Sequence, residues 1–467
     1  MPNPITRRRF LAALGAGTAL GLAACTSTKQ AVTATATPTG PVRQEVTLRA
    51  GIQEVDLGGR TASAWTFGTL PGPAIRATAG DRLRITVHND LPEETSVHWH
   101  GLAIPNPMDG VPGVTTPAIA AGTQFTYDFV VPDPGTHWFH PHTGLQLDTG
   151  LYAPFIVDDA AEAGRYDAEW VLVLDDWTQG VGREPQRIFD DLVAAGEQRG
   201  GMMHMGGMGM GMDGGDVSYP MYLINGRPPN DPDVLRVKPG QRIRLRIINA
   251  GADTIFTVGV AGHTMRVTHT DGYPVLPVTA DLLQIGMGER YDVLVDVGDG
   301  AFGVVAQPAG KNGQALAVLR SASGDTATDL PPGYPVTADA LHADPSAMLP
   351  RAEAQTTHDL VFSGSMAPYV WTINGAAYGH AKPLTVSPGE RVRLRLANMS
   401  MMSHPIHLHG HTFGVGRDGP RKDTLLLPPM ARAEVELVAD NPGRWMLHCH
   451  NAYHAEAGMM TRLDYTT

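Results

Sequence analysis

The histidines of this sequence concentrate in four short clusters, and imidazole is the commonest metal ligand in proteins. The clusters hold 12 of the 19 histidines and read HWHG, HWFHPH, HPIHLHGH and HCHNAYHAEAGMM, starting at His98, His137, His404 and His448. The pattern His-x-His occurs in each cluster. On a strand, residues two apart face the same side, so each pair presents two imidazoles to one site. Four such pairs predict a polynuclear metal site.

The fourth cluster indicates which metal is bound. Cys449 lies between two cluster histidines and, by strand alternation, faces the opposite side. We expect it to bind a separate ion with His404, His454 and a weak axial Met459. Two imidazoles, one thiolate and a long thioether bond are typical of a blue-copper electron-transfer site. Structural zinc sites often use more than one thiolate, and haem and iron–sulfur sites need cysteine spacings that this sequence lacks.

A strand motif that occurs three times indicates the elements that position these side chains. Each copy opens at a turn glycine, alternates charged and apolar residues, and closes on an asparagine nine positions later; the copies span residues 79–89, 239–249 and 388–398. Such alternation is typical of a strand with one buried face. The motif glycines lie 160 and 149 residues apart, which is the size of a domain.

We therefore predict an all-β protein of three homologous β-sandwich domains. The expected domains cover residues 43–160, 161–330 and 331–467. The 54 glycines and 37 prolines also favour short strands over long helices. A hydrophobic content of 42% excludes wholesale disorder, and the net charge of -12 argues against nucleic acid or an anionic lipid surface as a partner.

The four clusters resemble the copper-binding signatures of the multicopper oxidases, of the three-domain laccase-like and bacterial cuprous oxidase type. The repeat resembles their three cupredoxin-like Greek-key domains. The resemblance implies four copper ions and assigns their ligands: His404, Cys449, His454 and Met459 to the type 1 ion; His98 and His407 to the type 2 ion; His100, His140 and His450 to one type 3 ion; and His142, His409 and His448 to the other. We call the four type 1 residues the type 1 set and the eight remaining histidines the trinuclear group.

The resemblance further implies four one-electron oxidations at the type 1 site and reduction of O2 to water at the trinuclear group. Water formation consumes protons, so an acid is expected nearby. Asp109, eleven residues after His98, occupies the place of the family's cluster-proximal acid, although a turn residue is the alternative reading. Many relatives have a second acid directly after the type 1 histidine, where this chain has Ala455, with Glu456 one step later.

A methionine-rich insert at residues 201–215 is the main indication of a substrate. Its glycines disfavour a helix, and thioethers are soft ligands suited to Cu(I). It resembles the inserts of bacterial cuprous oxidases, although a neutral insertion is the alternative. Those relatives carry an Asp and a Met just before the type 1 histidine, whereas this chain has Ser400 and Met402. The expected substrate-copper ligands are Met402, Met202, Met203, Met205, Met208, Met210 and Met212.

These features favour a cuprous oxidase acting in copper tolerance. A laccase-like phenol oxidase and a ferroxidase stay open, so the expected partners are O2 and Cu(I), Fe(II) or a phenol. The non-enzymatic alternative is an envelope protein that sequesters copper. Relatives that keep the fold without copper lose the ligands, whereas all twelve are present here. Copper nitrite reductases lack the paired histidine signatures.

The first 25 residues resemble an export signal. Arg7, Arg8 and Arg9 form a twin-arginine pattern before an apolar stretch that is too short to span a bilayer. It ends at Cys25 in a sequence that resembles a lipoprotein cleavage box, and residues 26–42 form a Thr/Ala/Pro-rich tether. We expect export to the cell envelope, with membrane attachment only through lipidated Cys25. An ordinary signal peptide with a chance cysteine is the alternative.

Overall fold

The computed structural model describes residues 38, 40–199 and 214–466. The predicted leader with Cys25, most of the tether and the six methionines of the insert lie outside this range. Within it, no helix combines the length and the apolar character needed to cross a membrane.

The N-terminal strands form two four-stranded sheets, which we call the first sheet pair. Its strands are β1 (Gln44–Asp56), β2 (Thr61–Thr66), β3 (Ile75–Thr78), β4 (Arg82–Asn89), β5 (His98–His100), β6 (Gln124–Val130), β7 (Gly135–His140) and β8 (Ala153–Asp158). The sheet orders are β2-β1-β4-β6 and β3-β8-β7-β5. Short 3-10 helices lie at Asn106–Met108, Gln146–Thr149 and Ala160–Glu162.

The second sheet pair follows in the middle of the chain. Its strands are β9 (Ala168–Trp177), β10 (Met221–Ile224), β11 (Asp233–Arg236), β12 (Arg242–Asn249), β13 (Phe256–Val260), β14 (Met265–Thr270), β15 (Tyr273–Ala280), β16 (Leu283–Ile285), β17 (Arg290–Asp296), β18 (Ala301–Pro308), β19 (Ala315–Arg320) and β20 (Thr326–Ala327). The orders are β10-β9-β12-β17-β14-β15 and β11-β19-β18-β13-β16, with β20 on β18. A 3-10 helix follows at Ala338–Ala340.

The third sheet pair contains the C-terminal strands. They are β21 (Thr356–Met366), β22 (Tyr369–Ile373), β23 (Leu384–Val386), β24 (Arg391–Asn398), β25 (His404–Leu408), β26 (Phe413–Val415), β27 (Arg421–Lys422), β28 (Thr424–Leu427), β29 (Arg432–Val438), β30 (Arg444–Cys449) and β31 (Met460–Tyr465). The sheet orders are β22-β21-β24-β29-β26-β27 and β23-β31-β30-β25-β28. The all-β prediction is confirmed, while the exact domain boundaries stay a prediction.

Two α-helices accompany the strands in the described part of the chain. Helix α1 (Pro185–Arg199) leads towards the methionine-rich insert, and its apolar side chains pack on the core from one face: Ile188, Phe189, Leu192 and Val193. Helix α2 (Ala452–Glu456) is a short turn after β30. The sequence did not predict α1.

The three repeated motifs occupy equivalent strands. β4, β12 and β24 each pair in parallel with the first strand of their sheet and antiparallel with a later one. In β4 the apolar residues Leu83, Ile85 and Val87 are fully buried and alternate with partly exposed residues. Burying such a side chain contributes roughly 1.5–3 kcal/mol. The alternation therefore sets the register of the strand against the core.

The asparagine that closes each motif fixes the loop that follows it. The side-chain amide of Asn89 donates to the carbonyl of Glu93, and that of Asn398 donates to the carbonyl of Met402, at 2.8 and 2.7 Å. Both asparagines are fully buried. The two loops lead directly into β5 and β25, the strands that carry the first and third histidine clusters. The repeat therefore places these clusters at equivalent positions of two sheet pairs.

Candidate metal centres

Two antiparallel strand pairs bring the four histidine clusters together. In the first sheet pair, β5 pairs with β7 so that His98 lies opposite His140. In the third, β25 pairs with β30 so that His407 lies opposite His448. The Nε2 atoms of His98 and His407 are 3.4 Å apart across the two sheet pairs. The residues of the trinuclear group therefore meet where the first and third sheet pairs face each other.

Three residues of the type 1 set form a compact, buried group. The Nδ1 atoms of His404 and His454 are 3.0 Å apart, and the Cys449 sulfur lies 3.5 and 3.7 Å from them. All three side chains are fully buried. Donors this close together can all lie about 2.0–2.3 Å from one ion, the usual distance for imidazole and thiolate ligands. The donor set fits a copper ion.

Local backbone bonds hold the type 1 residues in place. The Asn451 side chain caps helix α2 by accepting from the amides of Tyr453 and His454. The amide of Met459 donates to the carbonyl of His454 at 2.9 Å, and the amide of Cys449 donates to the carbonyl of Met459 at 3.0 Å. Met459 is fully buried beside the group. The chain between the cysteine and the methionine is thus closed into one rigid turn.

Three residues of the trinuclear group also converge on one point. The Nε2 atom of His448 lies 3.4 Å from that of His142 and 3.1 Å from that of His409. This is the set that the family resemblance assigned to one type 3 ion.

The other predicted type 3 set is less compact. His100 and His140 form a close group with His98, whose ligand atoms all lie within 4.8 Å of one another. The ring centroid of His450 lies 5.0 Å from that of His100 and 5.1 Å from that of His140. All four rings are buried in one cluster, so the structure brings the predicted ligands together.

In five imidazoles of the trinuclear group, a hydrogen bond from one ring nitrogen leaves the other nitrogen directed into the cluster, whereas neither nitrogen of His450 has a hydrogen-bond partner among the described residues. The Nδ1 atom donates to a backbone carbonyl in four of them: His98 to Asp109, His140 to Pro141, His407 to Asp423 and His448 to Cys449, at 2.8–2.9 Å. In His100 the roles reverse, because Nε2 is bonded and Nδ1 is buried without a partner. Metal-binding histidines show this arrangement of one bonded and one ligating nitrogen.

The protonation states also suit metal binding. Burial raises the pKa of the Cys449 thiol, and a thiol in such surroundings ionises when a cation binds it. Burial lowers the pKa of the His448 imidazole to about 3. It lowers the pKa of other cluster imidazoles below the ordinary value in the same way: His100, His140, His404, His407, His409 and His450. These imidazoles are therefore neutral at pH 7, as ligands must be.

Asp109 lies against the trinuclear group, as expected. One of its carboxylate oxygens is 3.2 Å from Nδ1 of His98, and the other is 3.1 Å from Nδ1 of His409. The side chain is 1% exposed. Thr115 donates to it at the longer distance of 3.4 Å. Asp109 closes the 3-10 helix at Asn106–Met108 and so lies in a turn, but its side chain faces the cluster; its role as a proton donor stays a prediction.

A second carboxylate, Asp423, was not predicted from the sequence. Its Oδ1 atom accepts from Nε2 of His100 at 3.1 Å and lies 3.4 Å from Nδ1 of His407. Asp109 and Asp423 thus each contact one predicted type 2 ligand and one predicted type 3 ligand. The available signal in the sequence was weak: one acid, Asp109, follows the first histidine cluster, and another, Asp423, follows the third.

Glu456 lies beside the trinuclear group rather than in it. Glu456 and its neighbour Ala455 line a small open cavity together with Cys449 and four cluster histidines: His140, His142, His448 and His450. The glutamate is therefore at the wall of a space that reaches the predicted type 3 ligands. Its one-residue displacement from the family position does not remove it from this space.

The outer nitrogens of the type 1 histidines are also bonded. Nε2 of His404 lies 2.8 Å from the hydroxyl of Ser400, the residue that replaces the expected aspartate. Nε2 of His454 donates to Asp216 at 3.1 Å, and the Tyr369 hydroxyl donates to the same carboxylate oxygen at 2.7 Å. Asp216 is 2% exposed and was not predicted. Position 400 thus offers a hydroxyl to His404, while a carboxylate from another part of the chain bonds to the other type 1 histidine, His454.

Two cluster histidines, His137 and His411, were not assigned to a ligand set. The Nε2 atom of His411 lies 2.6 Å from the Tyr465 hydroxyl, and its Nδ1 donates to the carbonyl of His409. His137 is also buried, and burial lowers its pKa to about 3. Burial does not distinguish it from the predicted ligand His448, so its exclusion stays a prediction.

Comparisons with known proteins agree over nearly the whole chain. Sequence profiles described as multicopper oxidase match residues 51–162, 168–324 and 351–467. The multicopper oxidase MmcO of Mycobacterium tuberculosis is 47% identical, over 99% of this chain and 98% of that protein. A copper resistance protein A homolog of Pseudomonas syringae pv. tomato is 30% identical, over 98% and 99%. The crystal structure of a laccase from Botrytis aclada has a TM-score of 0.74 and 30% identity, covering 91% of this chain and 88% of that one.

The fold and these matches define a copper-dependent oxidoreductase that uses O2 as its electron acceptor. The chain belongs to the multicopper oxidase family.

Proposed function

We propose that this protein is a cuprous oxidase in copper tolerance, which couples four one-electron oxidations of Cu(I) to the reduction of O2 to water. The observation that carries the proposal is the buried carboxylate of Asp216. It bonds to the type 1 residue His454 and follows the last methionine of the insert, Met212, by only four positions. Asp216, which contacts the type 1 set, thus closely follows in sequence a segment whose thioethers suit Cu(I).

We propose the twelve residues of the type 1 set and the trinuclear group as ligands of four copper ions. When bound, these ions would accept electrons one at a time from the substrate and together deliver the four electrons that the reduction of O2 to water needs. Cys449 lies between His448 and His450 in sequence, so the peptide chain offers a short covalent route from the type 1 set to the trinuclear group. The backbone bonds around Met459 keep this route rigid.

Asp109 and Glu456 are proposed as proton donors. Asp109 hydrogen-bonds to His409 within the buried cluster, so it can pass a proton to a reacting group there without a large movement. Glu456 lines the cavity that opens on the predicted type 3 ligands. The two acids approach the group from different directions.

Exposed thioethers on the third sheet pair support Cu(I) as the substrate. Met399, Met401 and Met430 are 47%, 59% and 54% exposed. The first two flank Ser400, and the amide of Met430 donates to the Ser400 carbonyl at 3.3 Å. Since Ser400 contacts His404, exposed methionines thus adjoin a residue that bonds to the type 1 set, and thioethers are soft ligands suited to Cu(I). Met402, half-buried in the same loop, extends this surface inward.

Phenol oxidation is the second candidate. The identity of 30% to a solved laccase favours it. Against it, the imidazoles of His404 and His454 are fully buried and both outer nitrogens are bonded within the protein. A small ion that delivers its electron through Asp216 or Ser400 fits this arrangement better than an aromatic ring.

Replacing the six methionines of the insert with leucine is expected to raise the KM for Cu(I) and leave the rate at saturating Cu(I) unchanged. Several weak thioether sites raise the local Cu(I) concentration without touching the electron-transfer route. Turnover on Cu(I), Fe(II) and a phenol should be compared in one copper-loaded preparation, with Cu(I) fastest in the parent protein. Deletion of residues 202–212 is the second variant, and it should lower Cu(I) turnover at limiting copper while sparing the turnover of small phenols. An unchanged KM for Cu(I) in both variants would show that the insert is neutral.

Asp216→Asn is expected to lower kcat/KM for Cu(I) about tenfold and to change phenol turnover less than twofold. Hydrogen bonds to charged groups contribute about 1.5–3 kcal/mol, and 1.4 kcal/mol corresponds to a factor of ten. Asparagine keeps the shape and can still accept from His454, but it removes the charge that attracts the cation. Asp190→Asn, an exposed carboxylate on α1, is the control and should leave Cu(I) kinetics unchanged. Equal Cu(I) kinetics in both variants would contradict the role of Asp216.

We propose that the protein is exported and acts in the cell envelope. The twin-arginine pattern at residues 7–9 and the box around Cys25 support export and lipid attachment. Similarity to copper resistance protein A supports a role in copper tolerance.

A further inference from the structure

One buried arginine of the second sheet pair contacts all three sheet pairs beside the trinuclear group. Arg290 is fully buried at the start of β17. Its Nε atom donates to the carbonyl of Thr136 in β7 at 3.1 Å, and Nη1 donates to the carbonyl of Gly288 at 3.1 Å. Nη1 and Nη2 donate to the two oxygens of Asp423 at 2.7 and 2.6 Å. The guanidinium therefore forms a bidentate pair with the carboxylate that contacts the cluster.

Asp423 transmits this contact to two predicted copper ligands. Its Oδ1 atom accepts from Nε2 of His100 and lies 3.4 Å from Nδ1 of His407. The neighbouring Thr424 hydroxyl also donates to Oδ1, at 2.8 Å. Because Nε2 of His100 is engaged here, Nδ1 is the nitrogen left to face the cluster. The position of Asp423 thus decides the orientation of the His100 ring.

Further buried charges from the second and third sheet pairs surround the Arg290–Asp423 pair. Asp271 accepts from the backbone amides of Arg290, Asp423 and Thr424 at 2.9, 3.2 and 3.1 Å. The Lys422 ammonium lies 3.2 Å from Asp271 and 3.2 Å from Glu289. Each of these charged side chains is at most 1% exposed. The network fixes both the side chain and the backbone of Asp423.

Stability alone does not account for this network. Replacing a buried ion pair with apolar residues is often neutral or stabilising, because desolvation offsets the attraction. Asp109, which contacts the other side of the trinuclear group, has no Arg or Lys within ion-pair distance in the described residues. The two carboxylates therefore differ in their partners: Asp423 forms an ion pair with Arg290, and Asp109 has no such cation beside it in the described residues.

We infer that Arg290 is a positioning residue for the trinuclear group: through its bidentate pair with Asp423, the second sheet pair orients His100 and His407, although it supplies no predicted copper ligand itself. The inference rests on the proposed ligand sets. It predicts that loss of the Arg290–Asp423 pair weakens copper binding near His100 and His407. The type 1 set, which shares no hydrogen bond or ion pair with Arg290 in the described residues, should keep its properties. Hydrogen-bond partners of metal ligands typically change metal affinity 10- to 100-fold.

The test compares Arg290→Lys, Arg290→Met and Asp423→Asn with the parent in copper-loaded protein. Arg290→Lys keeps the charge but cannot form the bidentate pair, so it remains informative if the methionine variant does not fold. Arg244→Met is the matched control. Arg244 is a buried arginine of the same sheet pair that bonds Asp292 at 2.6 Å and has no bond to a cluster histidine.

The readouts are the rate at which a chelator removes the type 2 copper, its electron paramagnetic resonance spectrum, the blue absorption band and Tm. We expect the three variants of the pair to lose type 2 copper at least tenfold faster, with an altered type 2 spectrum and an unchanged blue band. The control should lower Tm alone. If the pair variants keep the parent's type 2 spectrum and chelator resistance, the positioning role is wrong. A parent protein without type 2 copper would instead contradict the proposed ligand sets themselves.

Discussion

Cys449→Ser is expected to abolish the intense blue absorption of the copper-loaded protein and to reduce its oxidase turnover by at least 100-fold. The band requires a thiolate bound to copper, and Cys449 is the only cysteine of the chain outside the predicted leader. Serine is nearly the same size, so the fully buried site and its surrounding backbone bonds should persist. Absorption spectra and oxygen uptake of copper-loaded parent and variant provide the measurement. A loss of 100-fold corresponds to about 2.7 kcal/mol of transition-state stabilisation.

Met459→Leu is the matched control for this substitution. It removes the predicted axial ligand, which binds weakly, and leaves the Cys449 thiolate and both imidazoles in place. The blue band should therefore survive in Met459→Leu while it disappears in Cys449→Ser. A blue Cys449→Ser protein would overturn the type 1 assignment.

His98→Ala and His448→Ala are expected to abolish O2 reduction while the blue site is still reduced by substrate. His98 is 3.4 Å from His407 between the Nε2 atoms, and His448 is 3.1 Å from His409. Each variant therefore removes one donor from a different part of the trinuclear group. The type 1 set keeps its donors in both variants. Stopped-flow bleaching of the blue band under anaerobic conditions, followed by oxygen uptake after mixing with O2, separates the two steps.

His411→Gln serves as the control for the histidine variants. His411 is buried close to the cluster, but its ring bonds to Tyr465 and to the carbonyl of His409. It should keep both blue-site reduction and O2 uptake. Normal O2 uptake by His98→Ala and His448→Ala would show that the trinuclear group is assigned to the wrong residues.

The sequence predicted the groups whose geometry depends on local spacing. His-x-His on a strand places two imidazoles on one face, and a cysteine between them must face the other way. The repeated strand and its closing asparagine then place the first and third clusters at equivalent positions. These rules are short-range, so Cys449 and its neighbours could be read from a few consecutive residues.

The residues that sequence reasoning missed act over long separations. Asp423 bonds to His100 across 323 residues, and Asp216 bonds to His454 across 238 residues. No periodicity or local motif reports such a contact, because it depends on how three sheet pairs pack against one another. Position 400 shows the same limit. It carries a serine where the relatives have an aspartate, and a carboxylate from a distant part of the chain, Asp216, bonds to the other type 1 histidine.

Helix α1 was not predicted from the sequence, for a different reason. Its apolar residues Ile188, Phe189, Leu192 and Val193 follow a helical spacing, but they lie between a proline and a glycine-rich insert. The high content of turn residues favoured strands throughout the chain, and this general trend outweighed one short amphipathic pattern. Packing against β22 stabilises the helix, and Gly196 allows close approach to the Tyr369 backbone there.

The number of Cu(I) ions oxidised per O2 consumed tests the proposed function most directly. It is measured in copper-loaded protein with an oxygen electrode, a Cu(I)-specific chelator and a peroxide assay. A cuprous oxidase with a working trinuclear group should oxidise four Cu(I) ions per O2 over many turnovers and release no hydrogen peroxide. Two Cu(I) ions per O2 with release of peroxide, or copper uptake without sustained O2 consumption, would contradict this function.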